Sequence, residues 1–144
     1  HKLADVYRYM IKSEDETTVR LRDEMAFVEQ YADLLKVRFP EGLEVQTDIP
    51  EEALSRMVVP CCVQLLVENA IKHNIVRAEE PLRISIRAEG DFVSVSNNRI
   101  PKLTRPVSTG LGLKYIRQQY RDLSGKGIEV LDEEKRYTVK IPLL

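Results

Sequence analysis

A chain of 144 residues with 43% hydrophobic side chains has the length and apolar content of one compact domain with its own core. Twenty-two basic residues stand against 23 acidic ones, a formal net charge of -1, so no global field draws the chain to nucleic acid or to an anionic membrane. Any phosphate recognition must therefore be local.

The adjacent Cys61 and Cys62 cannot easily meet in disulfide geometry and lack the spaced partners of a zinc site. They read as small buried residues of a reducing compartment. The longest apolar run is far short of the roughly 18 residues of a membrane span, and no signal-peptide pattern opens the chain. The chain starts at His1, without an initiator Met and already inside an amphipathic pattern, which suggests a piece of a longer protein.

Leu3, Val6, Tyr7, Met10 and Ile11 recur at helical spacing and predict a first short helix, followed by the polar loop KSEDETT. A second helix is expected from Leu21 to Phe39. Met25, Val28, Tyr31, Ala32, Leu35 and Phe39 mark one face, with acids early and bases late as the helix dipole favours, and Pro40 and Gly42 stop it. Leu43 to Ile49 alternates with period two and reads as a strand. Pro50 to Val58 reads as a turn or an irregular connection.

Pro60 is expected to open a helix that runs to about Asn74. Arg83 to Ala88 and Phe92 to Ser96 are alternating strands joined by Gly90-Asp91 as a hairpin. Asn97 to Thr109 reads as a loop of a length that tends to mean a lid or a binding loop. GLGLKYIRQQYRDL returns to helical periodicity up to Ser124-Gly125. Gly127 to Leu131 and Tyr137 to Ile141 form a last hairpin. Helices before and between hairpin-connected strands indicate an α+β two-layer sandwich, with helices on one face of a mixed sheet.

Two segments concentrate chemistry. In VENAIKHN, Val67 to Asn74, a step of roughly 100° per residue puts Glu68, Asn69, Lys72 and His73 on one helix face, opposite Val63, Leu66, Val67, Ala70 and Ile71. An amide oxygen suits Mg²⁺, a carboxylate can orient or deprotonate a nucleophile, and Lys and His supply positive charge for phosphates. The plain alternative is a solvated face on which Glu68 and Lys72 merely pair. In STGLGLK, Ser108 to Lys114, two glycines at a loop-to-helix junction allow close backbone approach to an anion beside the positive helix end. A tight turn alone would also account for them.

Together VENAIKH with the upstream Gln64, and GLGL after a long loop, resemble the N box and the glycine-rich G2 box of the GHKL ATP-binding superfamily, in particular its LytS-type sensor histidine kinases. YRY at Tyr7 to Tyr9, the helix ending in Arg38-Phe39, the strand VSVSNN and the terminal IPLL extend the resemblance over nearly the whole chain.

The resemblance implies a Bergerat-type sandwich that binds ATP between the N-box helix and the loop before the glycines. Asn69 would ligate Mg²⁺ and Glu68 would lie near the transferred phosphate. Lys72 and His73 would contact phosphates, and the run Thr109, Gly110, Leu111, Gly112 and Leu113 would cradle them. Arg99 to Thr109 would be the ATP lid. It further implies that residues 1–40 end a dimerisation and phosphoacceptor region leading into a catalytic domain at 41–144. The implied partners are a response regulator of LytTR type and a second copy in a homodimer. Membrane attachment would come through missing upstream segments, with this domain in the cytoplasm of a bacterium.

The chain departs from that pattern at several positions. Asn97 occupies the place of the Asp that accepts a hydrogen bond from the adenine amino group, and no Gly follows; its amide oxygen can still accept, without charge assistance. Asn97 and Asn98 would equally start a turn. Leu65 stands where Pro is common, and Tyr115 and Gln119 where Asn and Arg are common. No phosphoacceptor motif is present: His1 does not match it and His73 belongs to the N box. The reading is thus the ATP-binding catalytic part of a sensor histidine kinase, inactive alone. A nucleotide-binding-deficient interaction module of the same fold is its alternative.

Overall fold

The computed structural model describes residues 17–102 and 110–144. The helix expected over Leu3 to Ile11 and Thr109 of the expected cradle lie outside the described residues.

In chain order the elements are β1 (Val19–Arg20), α1 (Leu21–Arg38), β2 (Leu43–Asp48), α2 (Glu51–Leu54), β3 (Met57–Val58), α3 (Cys62–His73), β4 (Leu82–Glu89), β5 (Phe92–Asn98), α4 (Leu111–Ser124), β6 (Glu129–Asp132) and β7 (Arg136–Pro142). Five strands form one mixed sheet in the order β2-β4-β5-β7-β6. β2 pairs parallel with β4, and every other neighbour is antiparallel. β1 and β3 form a separate two-stranded ribbon.

The sheet is one-sided. In β4, Leu82, Ile84 and Ile86 are fully buried while Arg83 and Arg87, in the alternate register, are exposed. Val93 and Val95 of β5 and Val139 and Ile141 of β7 join the same core. The second layer comes from Met25 and Val28 of α1, Val63, Leu66, Val67 and Ala70 of α3, and Ile116 and Tyr120 of α4. The α+β two-layer sandwich expected from the sequence is the architecture found.

Three boundaries differ from expectation. Pro50 to Val58 is ordered into α2 and β3, because β3 finds its partner in β1 and its Met57 exchanges backbone hydrogen bonds with Leu144. That pairing joins residues far apart in sequence, beyond the reach of local propensity. Pro60 does not open α3; Cys61, at φ 65° and ψ 9°, is its N-cap, so the chain turns sharply before the first helical residue. Asn97 and Asn98 belong to β5, where they pair with Tyr137 and Arg136.

One glycine is required by contact. A Cβ on Gly42 would lie 2.8 Å from the backbone nitrogen of Arg77, so the start of β2 passes directly against the chain leaving α3.

Candidate functional site

α3 carries the polar ridge, and its position follows from its apolar side. With Cys62, Val63, Leu66, Val67 and Ala70 buried, Glu68, Lys72 and His73 are left exposed and Asn69 half-buried at the edge of the helix layer. The two i,i+4 pairs, however, open onto different spaces. Asn69 and His73 face a cavity of about 470 Å³, together with Asn74, Asn97, Arg99, Lys102, Asp132 and Tyr137. Glu68 and Lys72 face an adjoining groove with Tyr31, Leu35, Arg38 and Phe39. Lys102 and Asn74 border both spaces.

Asn97 reaches the first cavity through strand alternation. Val93 and Val95 point into the core, so the next residue in that register, Asn97, faces the helix layer too, where β5 ends. It is buried, and its Nδ2 donates to the Asn98 carbonyl at 2.8 Å. That bond orients the amide.

The glycine turn approaches the polar ridge from α4. Gly110 is the N-cap in a left-handed conformation, φ 68°, and its carbonyl accepts from Lys114 N–H at 3.1 Å. Gly112 lies in the first turn. A Cβ built there would stand 3.9 Å from Asn69 Oδ1 and 3.9 Å from Leu65 Cδ2. The polar ridge and the glycine turn are therefore neighbours. Leu113 packs against the core, so its contribution to a ligand is limited to its backbone N–H.

Partial desolvation at the cavity wall, then the nearby charges of Lys72 and Lys102, lower the pKa of His73 from its usual value. Lys102 and Arg99 bring positive charge to the cavity, and Lys72 brings it to the adjoining groove. Among the described residues no group of three or more His, Cys, Asp or Glu is arranged to hold a metal. The donor set instead suits a cation that takes one amide oxygen and keeps other ligands from water and a polyphosphate, as Mg²⁺ does.

Several residues of the site carry no local sequence signal. Asn74, buried, donates through Nδ2 to the Ala70 carbonyl and accepts at Oδ1 from Ile100 N–H, both at 2.8 Å, while Ile75 N–H donates to the Ile100 carbonyl. It clips the end of α3 to the chain leaving β5. Arg99 pairs with Asp132 and donates to the Glu133 carbonyl at 2.9 Å, tying the same chain to the β6–β7 hairpin. Asp132 and Tyr137 reach the cavity only because β7 lies beside β5. An Asn after a helix signals termination, and nothing local marks the others.

Comparison with known proteins gives a consistent set of likenesses. The family model described as Histidine kinase matches residues 1–43. Sensor histidine kinase BtsS of Escherichia coli K12 is 32% identical over 142 residues, which is 94% of this chain and 25% of BtsS. Sensor protein LytS of Staphylococcus saprophyticus is 32% identical over 101 residues, 67% of this chain and 17% of LytS. The chain thus spans a quarter or less of the length of these relatives. The solved catalytic domain of histidine kinase ThkA superposes with a TM-score of 0.57 at 19% identity, over 87% of this chain and 94% of that one, a likeness of fold. Among the described residues no helix is long and apolar enough to cross a membrane.

Proposed function

Because the chain belongs to the histidine kinase family, in its LytS-type sensor branch with the GHKL fold, we propose that it binds ATP with Mg²⁺ and transfers the γ-phosphoryl group to a histidine outside this chain. The observation that supports this reading best is the juxtaposition of Asn69 with Gly112 beside a cavity that ends at Asn97. A metal-ligating amide would then stand beside a backbone cradle, with an adenine acceptor on the same cavity.

In this reading Asn97 accepts from the adenine amino group at the buried end of the cavity. The Gly110 to Leu113 backbone lies along the phosphates at the positive end of α4. Asn69 would hold the metal, which when bound would supply charge neutralisation to the phosphates. Lys72 contributes charge, and His73 donates a hydrogen bond. Glu68, held by Gln64 Nε2 at 3.0 Å, looks into the adjoining groove. There it would orient the incoming imidazole and take up its proton as the new P–N bond forms and the bond to the β,γ-bridging oxygen breaks. Positioning and charge stabilisation then carry catalysis.

Residues 1–40 would lead in from the dimerisation region of a membrane-anchored homodimer. The domain at 41–144 would work in the bacterial cytoplasm, and a response regulator, of LytTR type by resemblance, would receive the phosphoryl group.

Calorimetric titration of ATP with and without Mg²⁺ tests the reading. Metal-dependent binding that Asn69→Ala abolishes is expected. A correctly folded chain that binds no ATP would overturn it in favour of an interaction module of the same fold.

A further inference from the structure

We propose that Glu24 is a positioning residue, through which α1 holds the Asn69 ridge of α3 in register with the Gly112 turn; the proposal rests on the function inferred above.

The first N–H groups of an α-helix have no partner within it. At α3 the Cys62 N–H turns back to the Val59 carbonyl at 3.2 Å, but no local side chain serves the others: the Cys61 N-cap makes no side-chain cap and the first turn holds no acid. The partner is a fully buried carboxylate from another helix. Glu24 Oε1 accepts from Cys61 N–H at 2.9 Å, and Oε2 accepts from Val63 N–H at 3.1 Å and Gln64 N–H at 3.2 Å. Bonds to an ionised acceptor are stronger than neutral ones, and negative charge is favoured at this helix end.

Three bonds to two oxygens fix α3 both along its axis and about it. Asn69 lies five residues beyond Gln64, about 7.5 Å further along the same rigid rod. A side-chain tip about 6 Å from the axis moves about 2 Å when the helix turns through about 20°. Since Gly112 leaves only contact distance to Asn69, such a rotation would misalign ridge and cradle. Glu24 touches neither ligand nor metal in this arrangement; it acts through α3.

The test uses the 144-residue chain with Glu24→Gln, which keeps shape and loses charge, and Glu24→Asp, which keeps charge and shortens the reach. ATP affinity in the presence of Mg²⁺ is measured by calorimetry. Amide resonances of Gly112 and the Asn69 side chain are recorded without nucleotide. Val28→Ala, a core truncation on the same helix, serves as a control for lost stability alone.

Glu24→Gln is expected to weaken ATP at least tenfold and to shift both resonances, with Glu24→Asp intermediate and Val28→Ala within twofold of the parent chain. Affinity within twofold and unmoved resonances in Glu24→Gln would overturn the proposal, as would an equal loss in Val28→Ala. If Glu24→Gln does not fold, Glu24→Asp is judged by the same criteria. If the parent chain binds no ATP, the functional reading fails, while the resonances still decide whether Glu24 sets the register of α3.

Discussion

A methyl group on Gly112 would stand 3.9 Å from Oδ1 of Asn69. The first turn of α4 and the polar ridge of α3 thus share a wall, with room for a methyl and for little beside it. Gly112→Ala should therefore separate stability from binding. Its backbone is not left-handed, so Ala fits and raises helix stability by a few tenths to about 1 kcal/mol. The methyl also takes the space beside Asn69 that a metal-bound phosphate would use. Urea denaturation is expected to show an unchanged or raised midpoint, and calorimetry at least a tenfold loss of ATP affinity.

Asn97 donates to the Asn98 carbonyl, and an aspartate could not. Asn97→Asp sets a carboxylate against that oxygen in a buried site, at a cost of about 1–3 kcal/mol in folding stability. The same change adds charge assistance to any bond from the adenine amino group. Stability should fall while the preference for ATP over GTP rises, read by denaturation and by competition binding. A preference that does not rise would remove Asn97 from the adenine position.

Asn74→Ala would leave the Ala70 carbonyl and the Ile100 N–H without the bonds they now make. Two buried groups then lose a partner, and a loss of about 2–4 kcal/mol is expected. Hydrogen exchange should quicken at Ile75 and Ile100 in particular, since their own backbone bond depends on the same clip. Uniform acceleration across the sheet would instead mean that Asn74 stabilises the fold without anchoring this segment.

His73 has its pKa lowered by burial and by Lys72 and Lys102. The folded state therefore binds fewer protons than the unfolded one near pH 6.5. The group's contribution to stability is complete above that pH and is lost as the pH falls through the folded pKa. Phosphate anions act in the opposite direction and raise the pKa, so binding takes up a proton. ATP affinity is expected to strengthen between pH 8 and pH 6, and His73→Gln should flatten that slope in pH-dependent calorimetry.

The alternation of Leu82, Ile84 and Ile86 and the helical spacing of Val63, Leu66, Val67 and Ala70 were legible because burial acts on residues two or three to four apart. The same periodicities exposed the ridge and put the glycines at a helix start, before any fold was known. Pro60 and the span from Pro50 to Val58 misled, since Cys61's left-handed turn and the β1–β3 pairing answer to Glu24 and Leu144, distant in the chain.

By itself the sequence determined the two layers, the polar ridge and the glycine turn, all carried by local pattern, while the departure at Asn97 was read only through the family resemblance. Tertiary structure alone decided that Asn69 faces Gly112, that Glu68 and Lys72 open onto a separate groove from Asn69 and His73, and that Asn74, Arg99, Asp132 and Tyr137 complete the cavity. Hydrophobic burial tells each element which face to hide. Which hidden faces meet is set by sheet order and by long-range hydrogen bonds that no short window of residues contains.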